Sequence, residues 1–482
     1  MERVVCIFGL VVFMALAWSV STNRRRIPWR TVGGGLLLQF VLAFLVLMTA
    51  PGQWLFQTLG AGFNRVMECV GDGSSMLFTV FPDDSGKVDL VDSQALIRTF
   101  AFGVLPTVIF FSSLMSILYY CRIVQPIVQG LAWVMRRTLG TTGAETLAAA
   151  ANVFVGHTEA PLVVRPYLPT MNRSELNAMM VGGFATVTGG LLAAYGKLGI
   201  EVSHLMTASV ISAPAALLIA KIMVPDEDSD SSNDADAAER SADNQETEFA
   251  PPSAATESQA PSSDADSQAP VNMIDAAVVG ASDGLKLALN IGAVLIAFLA
   301  LIAVVDLTLA SLCSFTHMET VVDGEPKPWL SLTIILGWLG YPIALLLGIP
   351  PSECSEAGSL IGLKTVANEF VAYDALGASR TLSDRTVVVL TYALAGFSNF
   401  GAIGIQVGGI GAMVPERRKE LAKLGLRAMF GGFLACCMTA AVAGIFYFPS
   451  LSDAKSDSTA TPVNSAVSDD GGDPAAIDPA PR

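Results

Sequence analysis

The chain has 482 residues, 52% of them apolar and only 15% charged, with a formal net charge of −15. An ordinary soluble protein carries about 25% charged residues, so this composition excludes that class. The acidity lies in two tracts: residues 226–270 hold 13 acidic residues and one basic residue, and residues 449–482 hold six and two. Both tracts are rich in Ser, Ala, Asp and Pro, which predicts disorder. The rest of the chain is nearly neutral, and nothing in it indicates a nucleic-acid partner.

Apolar stretches long enough to cross a bilayer occur along most of the chain. A bilayer core of about 30 Å needs about 20 apolar residues in a helix. The first stretch is followed, not preceded, by Arg24, Arg25 and Arg26, which distinguishes it from a cleaved signal peptide. We therefore predict a retained helix there. The eight predicted spans cover residues 3–22, 33–50, 95–120, 175–196, 203–224, 277–306, 385–412 and 423–448.

Three further segments are apolar without being simple spans. Residues 121–140, CRIVQPIVQGLAWVMRRTLG, are amphipathic and carry Arg residues at both ends, which predicts an interfacial helix. Residues 141–170 and 331–372 are interrupted near their middles by Gly, Pro and carboxylates. Because irregular backbone at membrane depth is tolerated only where it lines protein or a cavity, both segments predict re-entrant hairpins. The predicted fold class is an all-α polytopic membrane protein with about eight transmembrane helices, two re-entrant hairpins, an interfacial helix and repeated halves.

The Lys and Arg content of the short loops predicts the orientation of the protein in the membrane. Most loop arginines fall on the same side as the acidic tract at 226–270, which places that tract in the cytoplasm and both termini outside. The predicted organisation has five parts: N-terminal scaffold helices (1–120), the interfacial helix, first hairpin and following helices (121–224), a disordered acidic linker (225–272), a second half with the second hairpin (273–448) and a disordered acidic tail (449–482).

Each predicted half contains a hairpin with a carboxylate, followed by a helix broken by glycines. Glu159 precedes Phe184 by 25 residues, and Glu369 precedes Phe397 by 28 residues. Paired interrupted segments in corresponding positions indicate a transporter site between the repeats. An ionisable group at membrane depth is costly and is therefore a functional candidate, although each carboxylate taken alone could be a structural cap.

The residue types around these carboxylates suit a polar organic substrate and a cation. Carboxylates accept hydrogen bonds from sugar hydroxyls or ring N–H groups, and Thr158 and Asn399 can donate or accept. Phe397 would cover an apolar or ring face. Carbonyl oxygens at broken helices can bind a hard cation such as Na+, and the candidate positions are Asn152, Val155, Thr186 and Val187. No Walker A loop or nucleophile elbow is present in the sequence, so transport would be driven by an ion gradient or run downhill.

Four ordered motifs resemble those of the concentrative nucleoside transporter family. They are GHTEAPLVVRPYL (156–168), SELNAMMVGGFATVTGG (174–190), NEFVAY (368–373) and GFSNFGAIGIQVGGIGAMVPERR (396–418). The resemblance implies a secondary active importer of nucleosides in the plasma (inner) membrane, coupled to a cation, with Na+ favoured. It also implies a homotrimer, an elevator-type mechanism, no organic cofactor and no enzymatic activity.

The resemblance further assigns roles to individual residues. For the nucleobase it implies contacts from Gly156, His157, Thr158 and Glu159. For the ribose it implies Glu369 and Asn399, with Phe397 beside the sugar. For Na+ it implies Asn152, Val155, Thr186 and Val187.

Two positions depart from the family pattern. His157 stands where Gln is commonest, and Ala402 stands where relatives often have Ser. Imidazole differs from an amide in geometry and carries a titratable proton. The choice between purine and pyrimidine and between Na+ and H+ therefore stays open. The alternatives are a proton-coupled nucleoside symporter and a nontransporting membrane receptor or scaffold with the same fold.

Overall fold

A computed structural model describes residues 2–78, 102, 105–157, 160–226, 271–315, 319–322 and 325–447. The predicted acidic tail and nearly all of the predicted acidic linker lie outside these residues, as do Thr158 and Glu159. The described helices belong to one unit spanning Met1–Phe446.

The described chain before the acidic linker is helical. Its helices are α1 (Glu2–Ser19), α2 (Trp29–Met48), α3 (Ala50–Phe78), α4 (Leu105–Tyr120), α5 (Val124–Leu139), α6 (Gly143–Asn152), α7 (Ala160–Val163), α8 (Arg173–Ala185), α9 (Gly189–Lys197) and α10 (Val202–Met223). A short 3-10 turn, Arg165–Tyr167, separates α7 from α8.

The described chain after the linker is also mostly helical. Its elements are α11 (Met273–Phe315), β1 (Glu319–Val322), β2 (Glu325–Pro328), α12 (Leu332–Leu346), α13 (Cys354–Val366), α14 (Glu369–Ala378), α15 (Asp384–Leu394), α16 (Phe400–Met413), the 3-10 turn Pro415–Arg417 and α17 (Arg418–Phe446). Strands β1 and β2 pair antiparallel, with Glu319 opposite Pro328. This small β-hairpin is an exception in a described chain that is otherwise helical, as the predicted all-α class has it.

Five described helices are long and apolar enough to cross a membrane: α1, α2, α10, α11, and α17 together with its preceding 3-10 turn. Helices α4 and α5 are long and apolar enough only when taken together, and they meet at an angle of 78°. Counted as one bent span, they would be a sixth. The bend falls where the interfacial helix was predicted to begin. The predicted spans at 175–196 and 385–412 are not continuous, because each consists of two shorter helices, α8 with α9 and α15 with α16.

The two broken helices lie against each other at their breaks. The first break passes through Thr186, whose backbone is extended. The second contains Gly396, whose φ of +99° favours glycine, and a Cβ there would lie only 2.7 Å from the carbonyl oxygen of Phe184. Asn399 is the N-cap of α16, because its side-chain oxygen accepts a hydrogen bond from the Ala402 N–H at 2.8 Å. The chain therefore needs a small residue at 396 for this close approach.

Helices α10 and α17 form the buried centre of the unit. Nearly all residues of α10 and most of α17 are buried, whereas α1, α2 and α11 expose many large apolar side chains. Helices that are apolar around most of their circumference and still exposed are typical of contact with lipid. The protein is accordingly an integral membrane protein.

Two arginines connect the segments predicted to form hairpins with α17. Arg385 donates to the carbonyl of Gly348 at 2.7 Å and to that of Gly444 at 3.3 Å, which joins the approach to α13 with α17. Arg417 donates to the carbonyl of Met171 at 2.7 Å, which joins the end of the first hairpin region to the start of α17. These charged donors satisfy carbonyl groups that no helix would otherwise pair.

Candidate functional site

The segment predicted to form the second hairpin places a carboxylate at a helix N-terminus. Helix α13 ends at Val366, and α14 begins at Glu369. Asn368 caps α14, because its side-chain oxygen accepts a hydrogen bond from the Val371 N–H at 3.0 Å. The first turn of a helix carries partial positive charge, which stabilises an anionic side chain there. The local sequence thus explains how Glu369 can be held in an interior with only 3% of its surface exposed.

Glu369 is held by side chains from both broken helices. The Tyr195 hydroxyl of α9 donates to Oε1 at 3.0 Å, and the Asn399 amide at the start of α16 donates to Oε2 at 3.0 Å. Tyr195 is in turn packed against Phe370, with ring centroids 4.7 Å apart. A carboxylate can accept about four hydrogen bonds, so both oxygens keep capacity for a ligand's donors.

A cavity of about 310 Å³ opens beside this carboxylate. Its volume falls in the range of small-molecule sites, about 300 to 1,000 Å³. Polar side chains on one part of its wall come from the hairpins and breaks, namely His157, Asn368, Glu369 and Asn399. Apolar side chains cover much of the remainder, namely Leu162, Leu191, Phe370, Phe397, Ala402 and Ile405. Helices α4 and α11 complete the wall with residues that include Ser112, Asp283, Lys286 and Asn290.

An imidazole and a phenyl ring form one corner of the cavity. The ring centroids of His157 and Phe397 are 4.4 Å apart, and their planes are tilted by 53°. His157 is buried, and neither ring nitrogen has a hydrogen-bond partner among the described residues. Gly156 has φ +97°, and a Cβ there would collide with the Thr188 side chain. The backbone of the first hairpin therefore depends on a glycine directly before His157.

The residues predicted to bind a cation lie at the two breaks of the first half. Asn152 ends α6, and a Cβ at Gly182 would lie 3.1 Å from its Nδ2 atom, so the amide packs against α8. Both polar atoms of the Asn152 amide are buried without a partner in the described structure. The Thr186 hydroxyl donates to the Gly182 carbonyl at 2.9 Å. An orphaned amide oxygen beside non-helical backbone fits an oxygen-liganded cation.

The first hairpin and the broken helix after it are in direct contact. The Gly189 N–H donates to the Phe154 carbonyl at 3.3 Å, next to the buried Val155. Val187 is also buried, and its carbonyl accepts a hydrogen bond from the Ser209 hydroxyl at 3.4 Å. The structure thus brings the segments of all four predicted cation residues together.

The cavity brings together four of the seven residues predicted from the sequence to bind the substrate. Glu369, Asn399, Phe397 and His157 all line it, and Gly156 precedes His157 in the hairpin. Thr158 and Glu159 lie outside the described residues.

Sequence reasoning missed Tyr195, which lies in the apolar segment GGLLAAYGK and looks like an ordinary core residue there. Its role follows only from the packing of α9 against α14. The wall from α4 and α11 was missed for the same reason, since long-range packing has no local signal.

Comparison with known protein families gives matches along nearly the whole chain. Residues 204–444 match the family described as Na+ dependent nucleoside transporter C-terminus. Residues 8–81 match the corresponding N-terminus family, and residues 101–201 match a gate family described as nucleoside recognition.

Individual proteins match over similar lengths. The chain is 37% identical over 93% of its length to sodium/nucleoside cotransporter 1 of Mus musculus and 36% identical over 93% to solute carrier family 28 member 3 of Eptatretus stoutii. It spans only 64% and 61% of those two proteins. An uncharacterized transporter of Haemophilus influenzae is 38% identical, with 91% of this chain and 97% of that protein covered.

Solved structures are similar as well. The structure of CNTnw in an inward-facing substrate-bound state has a TM-score of 0.77 at 36% identity, covering 92% of this chain and 98% of that one. A CNTnw variant in an outward-facing state has a TM-score of 0.76 with the same identity and coverage.

Proposed function

The chain belongs to the concentrative nucleoside transporter family, a family of transporters and not of enzymes, and we propose that it imports nucleosides together with a cation, Na+ in the first instance. The observation that carries this proposal is the cavity beside Glu369. A buried carboxylate that already accepts hydrogen bonds from an amide and a phenol, next to a phenyl ring that lines the cavity, suits a ligand with hydroxyl groups at one end and a planar ring at the other.

In the proposed binding mode, the ribose hydroxyls donate to Glu369 and exchange hydrogen bonds with Asn399. Phe397 packs against the sugar, and the base lies toward His157, whose unpaired nitrogens supply one donor and one acceptor when the ring is neutral. The family resemblance adds Thr158 and Glu159 to the base contacts. Ala402 lines the cavity with a methyl group, so this chain binds its substrate without a hydroxyl at that position.

In the proposed coupling, Na+ is transported with the nucleoside and is bound by oxygens of Asn152, Val155, Thr186 and Val187. The hydrogen bond from Gly189 to Phe154 joins the two segments that contribute these oxygens. A cation that orders them also orders the backbone of His157. By linkage, Na+ should therefore tighten nucleoside binding, and nucleoside should tighten Na+ binding by the same factor.

The remaining architecture is proposed on the same basis. The two hairpins are re-entrant and belong to inverted repeats, and the protein is a homotrimer whose transport domains move like elevators against a scaffold. It lies in the plasma (inner) membrane with both termini outside and the acidic linker in the cytoplasm. The divisions at residues 120, 224, 272 and 448 remain the proposed domain boundaries.

Uridine uptake into proteoliposomes tests the function and its coupling ion. We expect an inward Na+ gradient at fixed pH to drive accumulation, and replacement of Na+ by choline to abolish it. Accumulation driven by an inward H+ gradient in choline would identify a proton-coupled symporter instead. Uridine binding without accumulation under either gradient would contradict transport and favour the receptor alternative.

A further inference from the structure

Lys364 is a buried cation that the substrate and sodium sites leave unexplained. It lies in the last turn of α13, and its side chain is fully buried. Its Nζ donates to the carbonyl of Ala393 at 2.9 Å and to that of Ala395 at 3.3 Å. It forms no ion pair with a carboxylate in the part of the chain that the structure describes. Burying a lysine in the interior of a membrane protein costs free energy, so its position indicates a functional role.

The two carbonyls belong to the broken end of α15. A helix C-terminus leaves its last carbonyls without intrahelical partners and carries partial negative charge. The Cys436 thiol donates to the Ala395 carbonyl as well, at 2.5 Å. Four residues after Ala395 comes Asn399, whose amide donates to Glu369. The ammonium of Lys364 thus fixes the backbone that carries one of the two donors to the candidate sugar-binding carboxylate.

The first half has a similar order of helices, but its corresponding helix α6 ends in the neutral Asn152. There Asn152 ends α6 and faces the broken helix α8–α9, and Lys364, in the last turn of α13, faces the broken helix α15–α16. Asn152 carries a neutral amide with both polar atoms unpaired among described residues, whereas Lys364 carries a charge bonded to two carbonyls. The break in the first half therefore has unpaired polar atoms that could bind a cation, whereas the ammonium group of Lys364 already occupies the break in the second half.

We propose that Lys364 is a tethered cation, which does permanently at the second break what the exchangeable cation does at the first. It is a positioning residue that holds Asn399 and, through it, Glu369 in the binding geometry. This inference rests on the proposed function. It implies that exchangeable cation binding acts on the base side of the cavity, while the sugar side is formed without an ion.

Substitution at position 364 tests the proposal through KM and through chemical rescue. Lys364→Met keeps most of the side-chain volume and removes the charge, and we expect the KM for uridine to rise about tenfold or more, a change of about 1.4 kcal/mol. Lys423→Met, at an exposed lysine of α17, is the matched control and should leave KM unchanged. A packing role alone would lower the amount of active protein and hence Vmax without this change in KM.

Lys364→Ala gives the second measurement, because it deletes the equivalent of n-propylammonium. We expect n-propylammonium to restore uridine uptake by this variant saturably, whereas tetramethylammonium, which cannot donate a hydrogen bond, should not. Restoration also shows that the variant is folded. A wild-type KM in Lys364→Met, or a monodisperse Lys364→Ala protein that n-propylammonium does not restore, would overturn the proposal. Wild-type protein that moves no nucleoside would refute the proposed function, and this inference with it.

Discussion

The sharpest test of the binding site is Glu369→Gln, which keeps the shape of the side chain and removes its charge and one acceptor oxygen. In the structure, Tyr195 and Asn399 each donate to a different oxygen of Glu369. In the variant, one of these two donors must face an NH2 group, so one internal hydrogen bond is lost. In the proposed binding mode, the ribose hydroxyls also lose a charged acceptor.

The expected magnitude follows from the loss of one hydrogen bond to a charged group. Such a bond contributes about 1.5 to 3 kcal/mol, and each 1.36 kcal/mol changes a rate or binding constant tenfold. We therefore expect Vmax/KM for uridine to fall by about 10-fold to 150-fold. The loss should exceed that caused by removal of a single neutral hydrogen bond.

The assay is sodium-driven uridine uptake in proteoliposomes that contain equal amounts of monodisperse protein. Glu201→Gln is the matched control, because the Glu201 side chain is 64% exposed and does not line the cavity. We expect this control to stay close to wild type. A Vmax/KM for Glu369→Gln close to wild type would refute the reasoning and return Glu369 to a structural cap of α14.

Three further substitutions test the surroundings of the site. Tyr195→Phe should lower Vmax/KM by about 10-fold to 150-fold, because it removes one hydrogen bond to the charged Glu369, and unchanged uptake would contradict that role. Gly396→Ala should lower the free energy of unfolding by about 1 to 3 kcal/mol. Gly404→Ala should not lower it, because an added Cβ there has no atom within 4 Å. Lys221→Met leaves the buried Glu145, 2.9 Å away, without its partner and should destabilise by about 3 to 5 kcal/mol. Adding Glu145→Gln should restore much of that loss in thermal unfolding.

The features that the sequence predicts well are those set by local chemistry. A hydrophobic run fixes its own helix, so the predicted span at 203–224 corresponds to α10, Val202–Met223. Asn is a residue type that favours helix caps, and α14 does start at Glu369, directly after Asn368. A helix broken by glycines was predicted after each carboxylate, and the structure has breaks at Thr186 and at Gly396.

The features that the sequence does not predict depend on contacts between distant segments. Tyr195 and Glu369 are 174 residues apart, and only the folded chain brings the hydroxyl to the carboxylate. The long helix α3 was missed, because its Gly and polar residues interrupt the apolar pattern that identifies a span. Lys364 was passed over for a related reason: a single lysine near a helix end usually reaches solvent, and its burial here follows from the packing of α13 against the broken end of α15.

The two halves of the proposed transporter therefore have a similar order of helices but differ in the charge of the residue beside the broken helix, Asn152 in the first half and Lys364 in the second. A ligand shifts a conformational equilibrium only by its difference in affinity for the two states, so coupling requires a place that a cation can occupy and leave. Lys364 is part of the chain and already donates to two carbonyls, so it does not exchange with solvent as an ion does. The amide of Asn152 has no hydrogen-bond partner among the described residues. The first half is thus the one that can respond to an ion. Because Asn152 lies only a few residues before His157, we expect the response to reach the proposed base side of the cavity, with the proposed sugar side at Glu369 as the fixed part of the site.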